Sequence, residues 1–495
     1  MPEKIIKLFS NPWLQLFLGF LILEIVSFAV FPYAWLSRIV FIIILALAAW
    51  ATIAKTENGA YLLLAELVVG GLGYLLSYPL DGGRISLRLG LFAVVGLIWL
   101  FKLIINIKKA KKICCNDRFL LLVLFFIIFC YAVINGYLNG HPIGAIFTDL
   151  NGYLYFGLIG LFLTVKLKPM RLMQILLIGS FMLGLKTLII LFLFSHGYAV
   201  VGPSLIYHWI RDTGIGEIAL ISAPLYRVFF QSHFYNLLAL IFSAFILLIR
   251  SSEAADENII INSISQSRWA KSLLWLAVWL NFFILVISQS RSFWVAGLFA
   301  LLILIPIAAI YFKVAWQRIF IYILLIPAFA LISNFAGQAV IGNFSTDFLT
   351  GRISGESGTA AVSSRMAELA PALELIKQTP LLGNGFGQMI RFRSDDPRIK
   401  NQSNPEGWTD AAAIEWGYLD LAVKTGLLGL AAYLAFLLVL AWGLFKSALQ
   451  KDILSAGLLI GLLILMIVHI FTPYLNHPLG IGYILVIMAL TNRQK

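Results

Sequence analysis

The chain is built from apolar runs near 20 residues long, such as those containing "FIIILALAAW" (41–50) and "LLVLFFIIFC" (121–130). That is the length a helix needs to cross about 30 Å of hydrocarbon. Only helices and closed barrels satisfy their own backbone in lipid, and these runs lack the alternation of barrel strands. With 61% hydrophobic and 12% charged residues, the apolar excess cannot be hidden in one globular core. The expected fold class is an all-α polytopic integral membrane protein of about 14 transmembrane helices.

Fourteen spans are predicted, near 13–31, 35–54, 60–78, 87–106, 119–136, 143–165, 172–194, 232–250, 272–290, 293–312, 318–334, 418–445, 453–472 and 478–492. Charge sets their orientation, because cytoplasmic loops collect Lys and Arg. With the N-terminus inside, the inner segments hold 21 of the 36 Lys and Arg, and the short outer turns hold only Arg38, Arg84, Arg88 and Arg291. An even number of spans returns the C-terminus to the same side. The formal charge of +13 is explained by this loop bias, and no nucleic-acid partner is expected. Cys114 and Cys115 are adjacent in a basic loop and Cys130 lies in an apolar run, which is no disulfide framework. Residues 1–12 are short and basic, and the span after them is long enough to stay as a first helix, so no cleavable signal is expected.

Four regions follow: an N-terminal transmembrane part (1–225), central helices carrying outer arginines (226–334), a long outer loop (335–417) and C-terminal helices (418–495). Residues 195–231 are semi-polar, rich in Gly and Pro, and read as partly re-entrant. The loop 335–417 is the one long polar stretch, and such loops are usually functional. Within it "SSRMAELAPALELIKQT" predicts one helix, with Ser363 or Ser364 as N-cap and a kink at Pro371. "PLLGNGFG" then turns the chain, and residues 391–410 are polar and irregular.

By this topology Arg227, Arg291 and Arg365 all face the outer side. A boundary charge in a membrane suggests function, and a guanidinium fork suits phosphate. An arginine at a span end also simply snorkels to the interface. Arg365 in a first helical turn would oppose the macrodipole, so either Glu368 neutralises it or helix end and guanidinium together attract an anion. Gly383, Gly385 and Gly387 form a GxGxG turn after a helix, which reads first as a helix stop and is no dinucleotide fingerprint. Asp420 and Lys424 are four apart and can pair. Glu415 lies at the membrane edge, either as a general base or as a solvated loop carboxylate. His233 and His477 sit near span ends, either as bases or as interfacial residues. No zinc-ligand spacing appears, so neither a metal nor a cofactor is expected. No internal repeat or pair of broken helices, the marks of many transporters, is evident.

Four stretches in the region 225–480 resemble the O-antigen ligase and polymerase superfamily of bacterial GT-C-type membrane glycosyltransferases. "YRVFFQSHFYN" matches at Arg227, Phe230 and Asn236, and "ISQSRSFWVAGL" at Ser290 and Arg291. "SSRMAELAPALELIKQTPLLGNGFG" matches at Arg365, Pro380, Gly383, Gly385 and Gly387. "EWGYLDLAVKTGLLGL" matches at Tyr418, Leu419, Gly426, Gly429 and Leu430. The family often has a histidine where this chain has Glu415. The resemblance implies a GT-C-like fold in a bacterial inner membrane and transfer of a glycan from an undecaprenyl-diphosphate carrier to an acceptor. The acceptor is lipid A-core for a ligase, or another lipid-linked repeat for a polymerase. Three arginines would stabilise the diphosphate without a metal, Glu415 would stand in as base, and the transfer would be inverting. A transporter of polysaccharide or lipid carrier, which would place charges deep in spans as Lys186 and Glu24 are, and a non-catalytic assembly partner are the other classes.

Overall fold

A computed structural model of the protein describes residues 11–81, 83–106, 117–249, 268–344, 356–396 and 399–491. Cys114, Cys115, the basic segments at 1–10, 107–116, 250–267 and 492–495 that were expected on the inner side, and loop residues 345–355 lie outside them. The elements in chain order are α1 (Pro12–Val30), α2 (Ala34–Ala54), α3 (Thr56–Val69), β1 (Ser77–Leu80), β2 (Gly83–Ser86), α4 (Leu87–Ile105), α5 (Asp117–Leu138), α6 (Ile143–Tyr153), a 3₁₀ turn (Leu154–Leu158), α7 (Ile159–Thr164), α8 (Pro169–Ser195), α9 (Leu205–Asp212), β3 (Gly216–Ser222) and β4 (Leu225–Phe230). Then come α10 (His233–Ile249), α11 (Arg268–Ser288), α12 (Arg291–Pro306) with a π turn (Ile307–Tyr311), α13 (Trp316–Ile341), α14 (Glu356–Ala367), α15 (Leu369–Gln378), β5 (Ile390–Arg393), β6 (Trp408–Ala411), α16 (Gly417–Leu449), α17 (Ile453–Phe471), a 3₁₀ turn (Tyr474–Asn476) and α18 (Pro478–Thr491).

All fourteen apolar stretches contain helix, and among the described residues ten helices are long and apolar enough to cross a membrane. Large apolar side chains such as Ile22, Trp50, Leu97, Phe101 and Leu302 are exposed along them. In water such surface would be prohibitive; facing lipid it is what a span requires. The third predicted span, 60–78, is corrected. Its helix α3 has 14 residues, about 21 Å at 1.5 Å per residue, and Gly70, Gly71 and the β1–β2 hairpin follow it. Residues 195–231 form α9 and the antiparallel β3–β4 hairpin, in which Ala219 faces Arg227.

The contacts divide the chain into two units. The first comprises residues 1–102, 165–349 and 451–457. In it α8 packs against α1, α3, α10 and α11. Asn236 on α10 donates to Asn281 Oδ1 on α11 (2.8 Å) and to the Ser180 carbonyl on α8 (3.0 Å), a polar tie of the kind that joins helices in lipid. Arg88, expected on an outer turn, is instead buried in a two-bond pair with Glu66 (2.8 and 3.1 Å). Lys186 and Glu24, the deep charges of the sequence, pair with each other at 2.5 Å.

The second unit comprises residues 103–164, 350–450 and 458–495. Here α16 packs on α5, α15 and α18. Ala372 of α15, Ile390 and Phe392 of β5, Ile414, and Val423 of α16 form one buried cluster, which seats the loop on the helix. The single predicted loop helix is two. Glu356 already begins α14, so neither Ser363 nor Ser364 is an N-cap, and the chain breaks at Glu368. Pro371 causes the break: it lacks an N–H for the Ala367 carbonyl, and its ring crowds that carbonyl. Arg365 therefore lies in the last turn of α14, where a cation complements the macrodipole.

Candidate active site

In the second unit the site begins with a flaw in a helix. α16 is interrupted at Gly426, whose φ of 70° and ψ of 179° are not helical. A break within a span strands backbone groups that lipid cannot satisfy. The "PLLGNGFG" turn supplies them. Leu427 N–H donates to the Pro380 carbonyl (2.8 Å) and Leu428 N–H to that of Leu381 (3.2 Å), while Asn384 N–H reaches the Val423 carbonyl (2.8 Å) and Gly385 N–H that of Lys424 (3.0 Å). Gly383, Gly385 and Gly387 have φ of 71°, 88° and 82°, so the glycines are required by the turn itself. Phe386 between them is fully buried and stacks on Tyr153, with ring centroids 5.6 Å apart. The glycine turn is thus more than a helix stop: it is a plug seated in a broken span.

Two residues before the break, Lys424 donates to Asp149 Oδ1 (2.7 Å), pairs with Asp420 (2.7 Å) and reaches the Ala412 carbonyl (2.9 Å). Three acceptors saturate the three N–H bonds of an ammonium. Asp149 also accepts the Gly387 amide (2.7 Å), and Asp420 accepts Asn476 (2.9 Å) and the Ile414 amide (3.1 Å). The Asp420–Lys424 pair was legible from spacing. Asp149 carries one sequence signal: a lone acid in an apolar run implies a partner.

Asp420 holds Ile414 by its amide, and Glu368 holds the next residue, its Oε2 accepting the Glu415 N–H at 2.9 Å. The Glu415 carboxylate meets the Arg365 guanidinium. The Trp416 indole donates to the Arg365 carbonyl (2.8 Å). Arg365 is therefore neutralised by Glu415 and not by Glu368, and Glu415 is not a solitary carboxylate. Glu368 is only 4% exposed. Burial pushes its carboxyl up to about 7. The neighbouring Glu415 and Asp420 charges add to the rise, while the Glu415 amide and Arg365 act against it. Tyr418 donates its hydroxyl to the Met466 carbonyl (3.0 Å) and lies edge-on to His469 (4.6 Å). The Leu475 amide donates to His469 Nδ1 (3.1 Å), which assigns the proton to Nε2 and makes the ring a donor, not a base.

In the first unit Arg227, on β4, reaches the turn that leads into Arg291. Arg227 Nε donates to the carbonyl of Ser288, the last residue of α11 (3.0 Å), and the guanidinium lies over Phe229 (4.8 Å). After Gln289, whose φ is 48°, Ser290 is the N-cap and Arg291 the first residue of α12. No acidic residue occupies that first turn. Cation and helix N-terminus, expected together at Arg365, meet instead at Arg291, where together they favour an anion. Phe293 and Trp294 of the same turn line an apolar cavity of about 340 Å³, together with Leu237, Trp275, Phe282 and Phe329. His233 is buried with both ring nitrogens engaged, by Thr187 (3.0 Å) and the Phe230 amide (3.3 Å); it is structural. Nδ1 of His477 accepts the Leu479 amide (3.3 Å).

A family model described as O-Antigen ligase matches residues 276–434, a stretch that carries Arg291, Arg365, the glycine plug and Glu415. No curated protein matches the chain.

Proposed function

We propose that the chain, whose residues 276–434 match the O-antigen ligase family model, moves a glycan from an undecaprenyl-diphosphate carrier to a lipid A-core or similar acceptor. The observation that carries the reading is the turn at Ser288–Arg291. A guanidinium sits in a helical first turn that holds no acidic residue; Arg227, which also pairs with Glu217 at 3.9 Å, caps the preceding helix; and an apolar cavity adjoins the same turn. That is the chemistry of a lipid diphosphate: anion at the arginines, first isoprene units in the cavity. The leaving diphosphate gains negative charge as the glycosidic bond breaks, and preformed cationic donors stabilise it without a metal. Arg365, the third arginine expected from the sequence to meet phosphate, is held by Glu415 in the second unit. The acceptor hydroxyl attacks the anomeric carbon with inversion, and a carboxylate of the Glu368–Glu415 pair takes its proton. The plugged helix fixes that pair. The site faces the extracytoplasmic side of a bacterial inner membrane, with both termini cytoplasmic.

The test is direct. Purified full-length protein is incubated with undecaprenyl-diphosphate-linked oligosaccharide and lipid A-core. Glycan joined to lipid A-core is expected. Lengthened glycan on the carrier instead would identify the polymerase branch of the same superfamily. Neither product, with the carrier lipid unconsumed, rejects the reading.

A further inference from the structure

Two carboxylates adjoin at the start of α16, and they are not equivalent. Glu415 is held by the Arg365 guanidinium, which engages its Oε2. Glu368 is paired with no cation among the described residues. Its Oε2 accepts the Glu415 backbone amide, which orients the carboxyl, and no hydrogen bond to its Oε1 is made among the described residues. The charged groups facing it are Glu415, Arg365 and Asp420. From this arrangement we propose that Glu368, and not Glu415, is the general base of the transfer, and that Glu415 with Arg365 serves to position it.

This rests on the glycosyltransferase reading given above and adds the identity of the proton acceptor. As the acceptor O–H bond breaks, its oxygen bonds the anomeric carbon. The bond from that carbon to the diphosphate oxygen breaks, its electron pair leaves with the diphosphate, and the proton passes to Glu368 and then to water. A base works best with a pKa near the working pH, and Glu368, at about 7, meets that condition. The structure therefore separates two duties, with the charge at 415 and the mobile proton at 368.

The experiment compares wild type, Glu368→Gln, Glu368→Asp and Glu415→Gln, using undecaprenyl-diphosphate-linked oligosaccharide with lipid A-core between pH 5.5 and 9. Donor binding is measured separately. The wild-type kcat is expected to fall by about tenfold per pH unit below about pH 7. Glu368→Gln preserves the acceptor for the Glu415 amide, so donor binding should hold. Its kcat should drop by roughly 100-fold or more, with the acid limb gone. Glu415→Gln should lose less and keep an acid limb. If Glu368→Gln does not fold, Glu368→Asp is read instead: reduced kcat with a displaced limb supports the assignment, and wild-type kcat and limb overturn it. Full activity of Glu368→Gln, or loss of the acid limb in Glu415→Gln alone, also overturns it while leaving the glycosyltransferase reading intact. No product from wild type rejects both.

Discussion

Gly426→Ala should be among the most damaging single-methyl additions in the protein. At φ 70° and ψ 179° the backbone is in a region nearly exclusive to glycine, at a cost of about 1–3 kcal/mol for another residue. The added Cβ would also overlap the Leu381 carbonyl and lie 2.5 Å from the Leu382 nitrogen. Relief requires the 380–382 segment to withdraw, which breaks the bond from Leu428 N–H to Leu381 and strains that from Leu427 to Pro380. A buried amide left without a partner costs about 1–3 kcal/mol. The sum is roughly 2–6 kcal/mol, a large share of the about 5–15 kcal/mol that holds a typical domain. The assay is thermal unfolding in detergent, followed by loss of the monodisperse elution peak. The control is Gly144→Ala in α6, where a Cβ meets nothing within 4 Å and alanine suits a helix better by about 1 kcal/mol. A clear drop in midpoint is expected for Gly426→Ala and none for Gly144→Ala. Equal midpoints would refute the claim that the plug and the break hold each other.

Other perturbations test the remaining parts. Lys424→Met leaves Asp149 and Asp420 facing each other without their cation and should destabilise by about 3–5 kcal/mol, read as a lowered thermal midpoint; Lys424→Met with an unchanged midpoint would remove the triad from the fold's supports. Arg291→Lys keeps the charge but not the fork, and should lower transfer on the order of tenfold, the equivalent of one charge-assisted hydrogen bond of about 1.5 kcal/mol; full complementation of a null strain would sink the diphosphate role. For Glu368, folding raises the carboxyl from 4.5 to about 7. The folded state binds the proton more tightly, so this group's contribution is complete below 4.5 and lost as pH rises through 7. Wild type should accordingly lose more stability between pH 4.5 and 8 than Glu368→Gln does, and identical profiles would contradict the raised value. Ser403, exposed in the loop, should as Ser403→Cys in a cysteine-free background react with an impermeant thiol reagent from the extracytoplasmic side; labelling only after permeabilisation would invert the topology.

What the sequence made legible was whatever depends on local period and local spacing. Span-length apolar runs predicted the helices, and the i, i+4 pair predicted Asp420–Lys424. The glycine spacing predicted a tight turn. What it concealed depends on long-range approach. Arg365 and Glu415 are 50 residues apart and meet only because Pro371 splits the loop helix and β5 and α15 dock on α16. The same split moved Arg365 from the first turn of a helix to the last, which reversed the sign of the dipole argument. Asp149 and Lys424 are 275 residues apart, and no pattern in either neighbourhood names the other. Glu368 looked like a local neutraliser of Arg365, because spacing reports neighbours on a helix and cannot report that the helix ends there.

The break at Gly426 bears on the choice between enzyme and transporter. Discontinuous helices in transporters leave half-helix ends open to hold substrate and ions near the midplane. No such break was evident in the sequence, yet this chain has one. At that break, however, the carbonyls of Val423 and Lys424 and the amides of Leu427 and Leu428 are all bonded to residues 380–385 of the same chain. The ammonium beside them has its three donors spent, and the other deep charges among the described residues, Glu24, Glu66, Arg88 and Lys186, are paired with one another. A transport site needs groups that can change partners along a path. These groups are consumed in holding a loop to a helix, and that loop carries Arg365 and Glu368 to Glu415. The irregular backbone in this span thus holds the loop that brings Glu368 to the Glu415 amide just before α16, an arrangement that fits the proposed transfer and leaves those groups committed within the chain rather than along an alternating path.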